Sequence, residues 1–121
     1  PGCQTDQVLY NLTRRGPEFD LLPYADSARM PVMAYSPVEQ GRLIGDPALA
    51  DIARELGATP AQVALAWSLR SGSVLAIPKA STAEHVRENA AARDIHLSEA
   101  DLHRLDCAFP PPTRPVPLEM L

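Results

Sequence analysis

An α/β fold with three parallel strands under covering helices is what this chain predicts, on three observations. Short apolar segments recur at 7–12, 31–36 and 74–77, each followed by a stretch with helical spacing. Turn and capping residues separate them at Gly16-Pro17, Asp46-Pro47 and Thr59-Pro60. Strands alternating with helices require crossovers, so the strands run parallel and the helices cover the sheet. The length of 121 residues allows one domain, well short of the roughly 250 residues of a closed (β/α)8 barrel.

Gln7-Val8-Leu9-Tyr10-Asn11-Leu12 is the first strand, closed by Gly16-Pro17. Leu21 to Arg29 reads as a helix with Pro23 in its first turn, where a missing N–H costs little, and it runs into Pro31. Pro31 to Ser36 is the second strand. A loop from Pro37 to Gly45 follows, carrying Gln40, Gly41 and Arg42, and it is the natural functional surface. Asp46-Pro47 caps a helix over 48–56, which Gly57 stops, and Thr59-Pro60 opens another over 61–70. There Val63, Ala64 and Trp67, with Leu65 and Leu69, recur at spacings of three and four, the period of a buried face.

Val74 to Ile77 is the third strand. Ser81 or Thr82 caps a helix to about Arg93, and Ser98 starts the last one. From Pro110 the prolines exclude a helix. The expected domains are therefore 1–109 and a proline-rich tail, 110–121, extended or coiled with local contacts only. Trp67 and Tyr24 read as packing residues, and His96 and His103 as surface residues.

Eleven Lys and Arg against fifteen Asp and Glu give a formal charge of -4, which argues against nucleic acid and anionic membranes as partners. Cys3 and Cys107 stand far apart, without metal-site or disulfide-scaffold spacing, so no metal is expected and a reducing cytoplasmic setting is the default. No apolar run nears the roughly 20 residues that span a bilayer, so a soluble protein is expected.

The most telling stretch is Val74-Leu75-Ala76-Ile77-Pro78-Lys79-Ala80-Ser81, an apolar strand that ends at the sole lysine and opens onto a helix start. Free N–H groups and an ammonium at one point suit a phosphate. Taken alone, Lys79 reads more readily as a solvated charge, and Gln7 and Tyr35 as an exposed amide and a half-buried aromatic.

Together these segments resemble the carboxyl-terminal part of the aldo/keto reductases, (β/α)8-barrel oxidoreductases that use NADPH. Asp6-Gln7-Val8 resembles the family's sixth strand, Ala34-Tyr35-Ser36-Pro37 its seventh and Ala76-Ile77-Pro78-Lys79 its eighth. Ala61 to Trp67 resembles the helix before the eighth strand. The resemblance covers nearly the whole chain and implies a partial (β/α)8 TIM barrel of about three parallel strands with covering helices.

It further implies that Gln7 bonds the nicotinamide carboxamide and that Tyr35 lies against the nicotinamide ring. Ser36, Pro37, Val38, Gln40, Gly41 and Arg42 would line the pyrophosphate. Lys79 would pair with the ribose 2′-phosphate beside Ile77, Ala80 and Ser81, and His85, Glu88 and Asn89 would face the adenosine end. Many members carry serine where Ala80 stands and arginine where His85 stands. A largely neutral histidine gives a phosphate dianion less than a guanidinium does, which keeps NADH open beside NADPH.

The family's catalytic aspartate, tyrosine, lysine and histidine come from the first four strands, so no catalytic residue is assigned here. Two lysines are needed in that chemistry, one beside the tyrosine and one at the ribose phosphate, and this chain has one. The 121 residues alone are expected to be inactive, whether they are part of a longer reductase or a short product of their own. The implied reaction is hydride transfer to a small aldehyde or ketone. Open sheet edges further imply self-association or pairing with a complementary barrel half. A different reading is a non-catalytic nucleotide-binding or assembly module that dimerises through those edges.

Overall fold

The computed structural model describes residues 2–121, so Pro1, the first residue of the predicted domain, lies outside the described residues. Three strands, β1 (Asp6–Leu9), β2 (Val32–Tyr35) and β3 (Val74–Ile77), form one sheet in the order β1-β2-β3. Both pairings are parallel and in step: Asp6, Val32 and Val74 form one row across the sheet, and Leu9, Tyr35 and Ile77 another. All three strands therefore end at the same edge.

The period of two divides the sheet into two faces. Val8, Val32, Ala34 and Val74 pack into the core with Leu49, Ile52, Val63, Trp67 and Leu105 from the helices. Gln7, Met33 and Leu75, with Leu9, Tyr35 and Ile77, occupy the other face, where Leu75 stays 53% and Ile77 39% exposed. One face of the sheet is thus covered, and the other is open along β3, while Leu9 on β1 is buried and Met33 and Tyr35 on β2 are half-buried.

The helices are α1 (Leu21–Ser27), α2 (Pro47–Leu56), α3 (Pro60–Leu69), α4 (Ala83–Ala91) and α5 (Glu99–Ala108). Their starts are written in side-chain hydrogen bonds. The Asp46 carboxylate accepts from the Ala48 and Leu49 N–H groups, with Pro47 at the first position, and Gly57 ends α2 at φ 63°. Thr59 with Gln62, and Ser98 with Asp101, form reciprocal capping boxes on α3 and α5. Of the two candidates before α4 it is Thr82 that caps, accepting from the His85 N–H at 3.2 Å.

Several boundaries differ from the sequence reading for physical reasons. β1 stops at Leu9 rather than Leu12, because Asn11 folds into a turn whose side-chain oxygen accepts from the Thr13 and Arg14 N–H groups. α1 ends at Ser27, before Arg29, which turns left-handed at φ 52°. The helix predicted to run to Arg93 tightens into a 3₁₀ turn over Ala92–Asp94. In α3 the buried residues run without a break from Val63 to Ser68, so this helix is enclosed on all sides and not on one stripe.

Trp67 is core, as expected, at 1% exposure, whereas Tyr24 is 65% exposed and does not pack. Two cations approach the Trp67 ring, with the Arg15 and Arg70 guanidinium carbons 5.0 and 3.8 Å from its centre. Arg15 is buried and paired with Glu18 and Asp106, and it donates to the Phe109 carbonyl at 2.5 Å. That residue clamps the end of α5 onto the loop after β1.

The tail from Pro110 has no regular structure. Its contacts are not confined to sequence neighbours, which corrects the expectation: Glu119 accepts from Arg14 at 2.7 Å, and Val116 lies so close to Gly16 that a Cβ there would meet it at 2.7 Å. The tail is laid across the loop that follows β1. No described helix is long and apolar enough to cross a membrane.

Candidate functional site

Because the strands are parallel and end together, the loops after β2 and β3 leave the same edge side by side. In open parallel sheets ligands bind in crevices beyond the carboxyl ends of the strands. A cleft of about 650 Å³ lies there, lined by Ser36, Pro37, Val38 and Gln40 from the first loop, by Ile77 at the end of β3, and by Lys79 and Ser81 from the second loop. Seven residues singled out in the sequence converge on it from two stretches about forty positions apart.

The wall after β2 follows an unusual path. Ser36, Glu39 and Gln40 take positive φ of 49°, 49° and 55°, and Gly41 follows at 88°. Glycine is required at 41 by that angle and not by crowding, since an added Cβ would come no nearer than 4.0 Å to Ile44. The main chain is tied by Glu39 N–H to the Ser36 carbonyl and by Gly41 N–H to the Val38 carbonyl, both at 2.9 Å.

Opposite stands the turn from β3 into α4. Lys79 lies two residues beyond the strand end and is exposed, and Ser81, free of the capping role that Thr82 takes, faces the same cleft. Gln62 donates to the Glu88 carbonyl at 3.0 Å, fastening α4 to α3 and so fixing where the α4 amino end points. A helix start shortly after a lysine in the chain suits an anion.

The remaining sequence candidates sit around this cleft and do not line it. Gln7 and Tyr35 share the open sheet face, Gln7 opposite Met33 and Tyr35 in the last row beside Ile77. Arg42 points to a neighbouring hollow of about 360 Å³ with Thr13, Glu39 and Phe109. Gly41 and Ala80 are half-buried within the two loops, His85 is exposed on α4, and Glu88 and Asn89 are half-buried further along that helix.

Three residues that the sequence did not single out hold the site from behind. Glu39 is 4% exposed, and its carboxylate accepts from Asn11 Nδ2 at 2.7 Å and from Arg14 Nη2 at 2.8 Å. Burial raises its pKa, but the hydrogen bonds from Arg14 and Asn11 and the nearby positive charges outweigh that and hold it below the ordinary glutamate range. Their partners lie 25 to 28 positions away, so no local spacing advertised them.

Tyr10 is held protonated: burial raises its pKa most, and its hydroxyl donates to Glu18 at 2.8 Å while accepting from Arg70. It is spent on packing. Among the described residues no group of three His, Cys, Asp or Glu is placed to hold a metal ion.

The chain is similar in sequence to several known proteins. It is 46% identical over 124 residues to methylglyoxal reductase YeaE of Escherichia coli, and 42% identical over 106 residues to the pyridoxine 4-dehydrogenase of the same organism. The first match covers 98% of this chain and 44% of that protein, the second 83% and 35%. An aldo-keto reductase from Klebsiella pneumoniae, solved in complex with NADPH, superposes with a TM-score of 0.95 at 48% identity, covering 98% of this chain and 44% of that one. The chain thus spans less than half the length of these relatives and matches part of their barrel. The model of the aldo/keto reductase family matches residues 2–108, and the chain belongs to that family.

Proposed function

We propose that this chain supplies the cofactor-binding half, without the catalytic residues, of a reductase that transfers hydride from NADPH to an aldehyde or ketone. The observation that carries this reading is the cleft beyond β2 and β3, with Lys79 and Ser81 on one wall and the Ser36–Gln40 backbone on the other. Lys79 would meet the ribose 2′-phosphate with help from the Ser81 hydroxyl and the first α4 N–H groups. Ser36, Pro37, Val38, Gln40 and Gly41 would follow the pyrophosphate, with Arg42 at the rim. Gln7 and Tyr35 would meet the nicotinamide across the open sheet face.

Two relatives support the cofactor and the substrate class: the Klebsiella enzyme carries NADPH in its crystal, and the Escherichia coli relative is named for a small carbonyl compound. In the reaction the cofactor supplies a hydride to the carbonyl carbon. Residues of this chain would bind and orient the dinucleotide, and none of them is assigned to deliver the accompanying proton. His85 and Ala80 at the adenosine end leave NADH as the alternative cofactor. A cytoplasmic setting accords with two exposed, free thiols.

The second reading, a non-catalytic nucleotide-binding or assembly module that dimerises through the open sheet edges, is favoured by β1 and β3 standing as the edge strands of the sheet, with Leu75 and Ile77 of β3 exposed. On that reading the edges are paired with a second copy or with the complementary strands of a barrel. Sedimentation of the 121-residue chain over a range of concentrations tests it, and a strictly monomeric species would count against it.

Fluorescence titration of the 121-residue chain with NADPH and NADH, for wild type and Lys79→Ala, tests the main reading. A lost charge-assisted contact is expected to weaken NADPH by about 10- to 100-fold and NADH much less. Equal affinities in all four combinations would remove the assignment of Lys79, and genuine carbonyl turnover by the chain alone would contradict the division of labour.

A further inference from the structure

We infer that Asn11, Arg14 and Glu39 form a positioning cluster that locks the loop after β2 into the left-handed path needed to shape the cleft. The inference rests on the cofactor reading above for its functional meaning and on the loop geometry for its substance.

Three non-glycine residues within five positions, Ser36, Glu39 and Gln40, take positive φ, and such a run persists only where the surroundings over-determine it. The surroundings here are specific. Asn11 Nδ2 donates at once to the Ser36 carbonyl at 2.9 Å and to Glu39 Oε2 at 2.7 Å, gripping the first two left-handed residues from one point. Arg14 closes on Glu39 Oε1 alone, with Nε at 3.1 Å and Nη2 at 2.8 Å, so Arg14 holds one carboxylate oxygen and Asn11 the other, and the carboxylate is fixed from both sides.

The grip is itself held. Asn11 Oδ1 accepts from the Thr13 N–H and hydroxyl, both at 2.9 Å, and from the Arg14 N–H at 3.1 Å, so Asn11 cannot swing away without breaking its own turn. Arg14 gains a second partner in Glu119 at 2.7 Å, which ties the tail to the same cluster. Arg42 Nη1 stands 3.6 Å from Glu39, the one cation of the loop itself near that carboxylate.

Glu39 does not line the cleft; its neighbours Val38 and Gln40 do. It therefore acts through the backbone it anchors, and the three residues are positioning residues. A glutamine at 39 offers one oxygen where two donors converge, so Glu39→Gln satisfies either Asn11 or Arg14 while its own amide hydrogens confront the other. An alanine satisfies neither.

The test pairs limited trypsin digestion of the 121-residue chain with dinucleotide titration. In Glu39→Ala, cleavage after Arg42 is expected to speed up about tenfold while cleavage after Arg54, within α2, changes less than about twofold, because only the loop opens. Glu39→Gln should fall between. Affinity for NADPH and for NADH should drop together, by about tenfold, leaving their ratio unchanged, since the loop serves the part of the ligand the two share. Arg14→Met gives a second route to the same comparison should Glu39→Ala lose its cooperative thermal transition.

Unchanged cleavage after Arg42, or cleavage after Arg54 rising in step with it, overturns the inference. Failure of the wild type to bind either dinucleotide overturns the cofactor reading instead, and the digestion still decides the role of the cluster.

Discussion

Arg70, which caps the end of α3, lays its guanidinium 3.8 Å from the centre of the Trp67 ring one turn earlier, while its Nη1 donates to the Tyr10 hydroxyl at 3.0 Å. The end of α3 is thereby joined to the residue that follows β1, and the only tryptophan becomes the hinge pin of the core. Tyr10 tilts against the same ring, with centroids 5.3 Å apart.

Trp67→Ala is expected to cost about 3–5 kcal/mol, the range for removing a fully buried large aromatic. Chemical denaturation followed by circular dichroism measures it. Arg70→Met, which keeps an apolar cover over the ring, should cost far less, and a similar loss in both variants would show that the cation and not the ring carries the packing.

Acid should release the loop after β2 before it unfolds the sheet. Glu39 has a folded-state pKa below its ordinary value of 4.5, so its contribution is fully present above that value and is lost as pH falls through the lower, folded one. The stability difference between wild type and Glu39→Gln should therefore be constant at neutral pH and shrink only below the ordinary glutamate range. A difference that already fades near pH 7 would contradict the sign.

The caps offer a calibrated check on the helices. Replacing Asp46 or Thr59 by alanine removes acceptors for the first N–H groups of α2 and α3 and should cost about 1 kcal/mol each. Ser81→Ala should cost almost nothing, because Thr82 holds the capping position before α4. Thermal melts of the three variants measure the contrast.

Gly16→Ala should dislodge the tail and leave the barrel portion standing, since the new methyl would meet Val116 Cγ2 at 2.7 Å. Faster chymotryptic cleavage after Leu118 with little change in the melting temperature is the expected outcome. The double change Gly16→Ala with Val116→Ala should restore the slow rate.

Much of this architecture was legible because its signals are local. Asp46-Pro47, Thr59-Pro60 and Ser98 mark helix starts through bonds that span two or three residues, and Val74 to Ile77 is bounded by Gly72 and Pro78. The end of β1 was not legible, because Leu9-Tyr10-Asn11-Leu12 stays apolar in character while Asn11 turns the chain with its own side chain. Tyr24 was misread for a similar reason: α1 is short and buries only Ala25 fully, so an aromatic on it can stand in solvent. The cleft was half legible. Lys79 and Ser81 follow directly from a strand end, whereas the Asn11–Glu39–Arg14 cluster depends on a pairing that exists only once β1 and β2 lie side by side.

The most direct measurement is an amide chemical-shift map of the 121-residue chain titrated with NADPH. Perturbations concentrated at 36–41 and 77–85, with the largest on the residues flanking Lys79, are the expected result. Shifts spread over α2 and α5, or confined to the tail, would contradict a dinucleotide cleft at the carboxyl edge of β2 and β3.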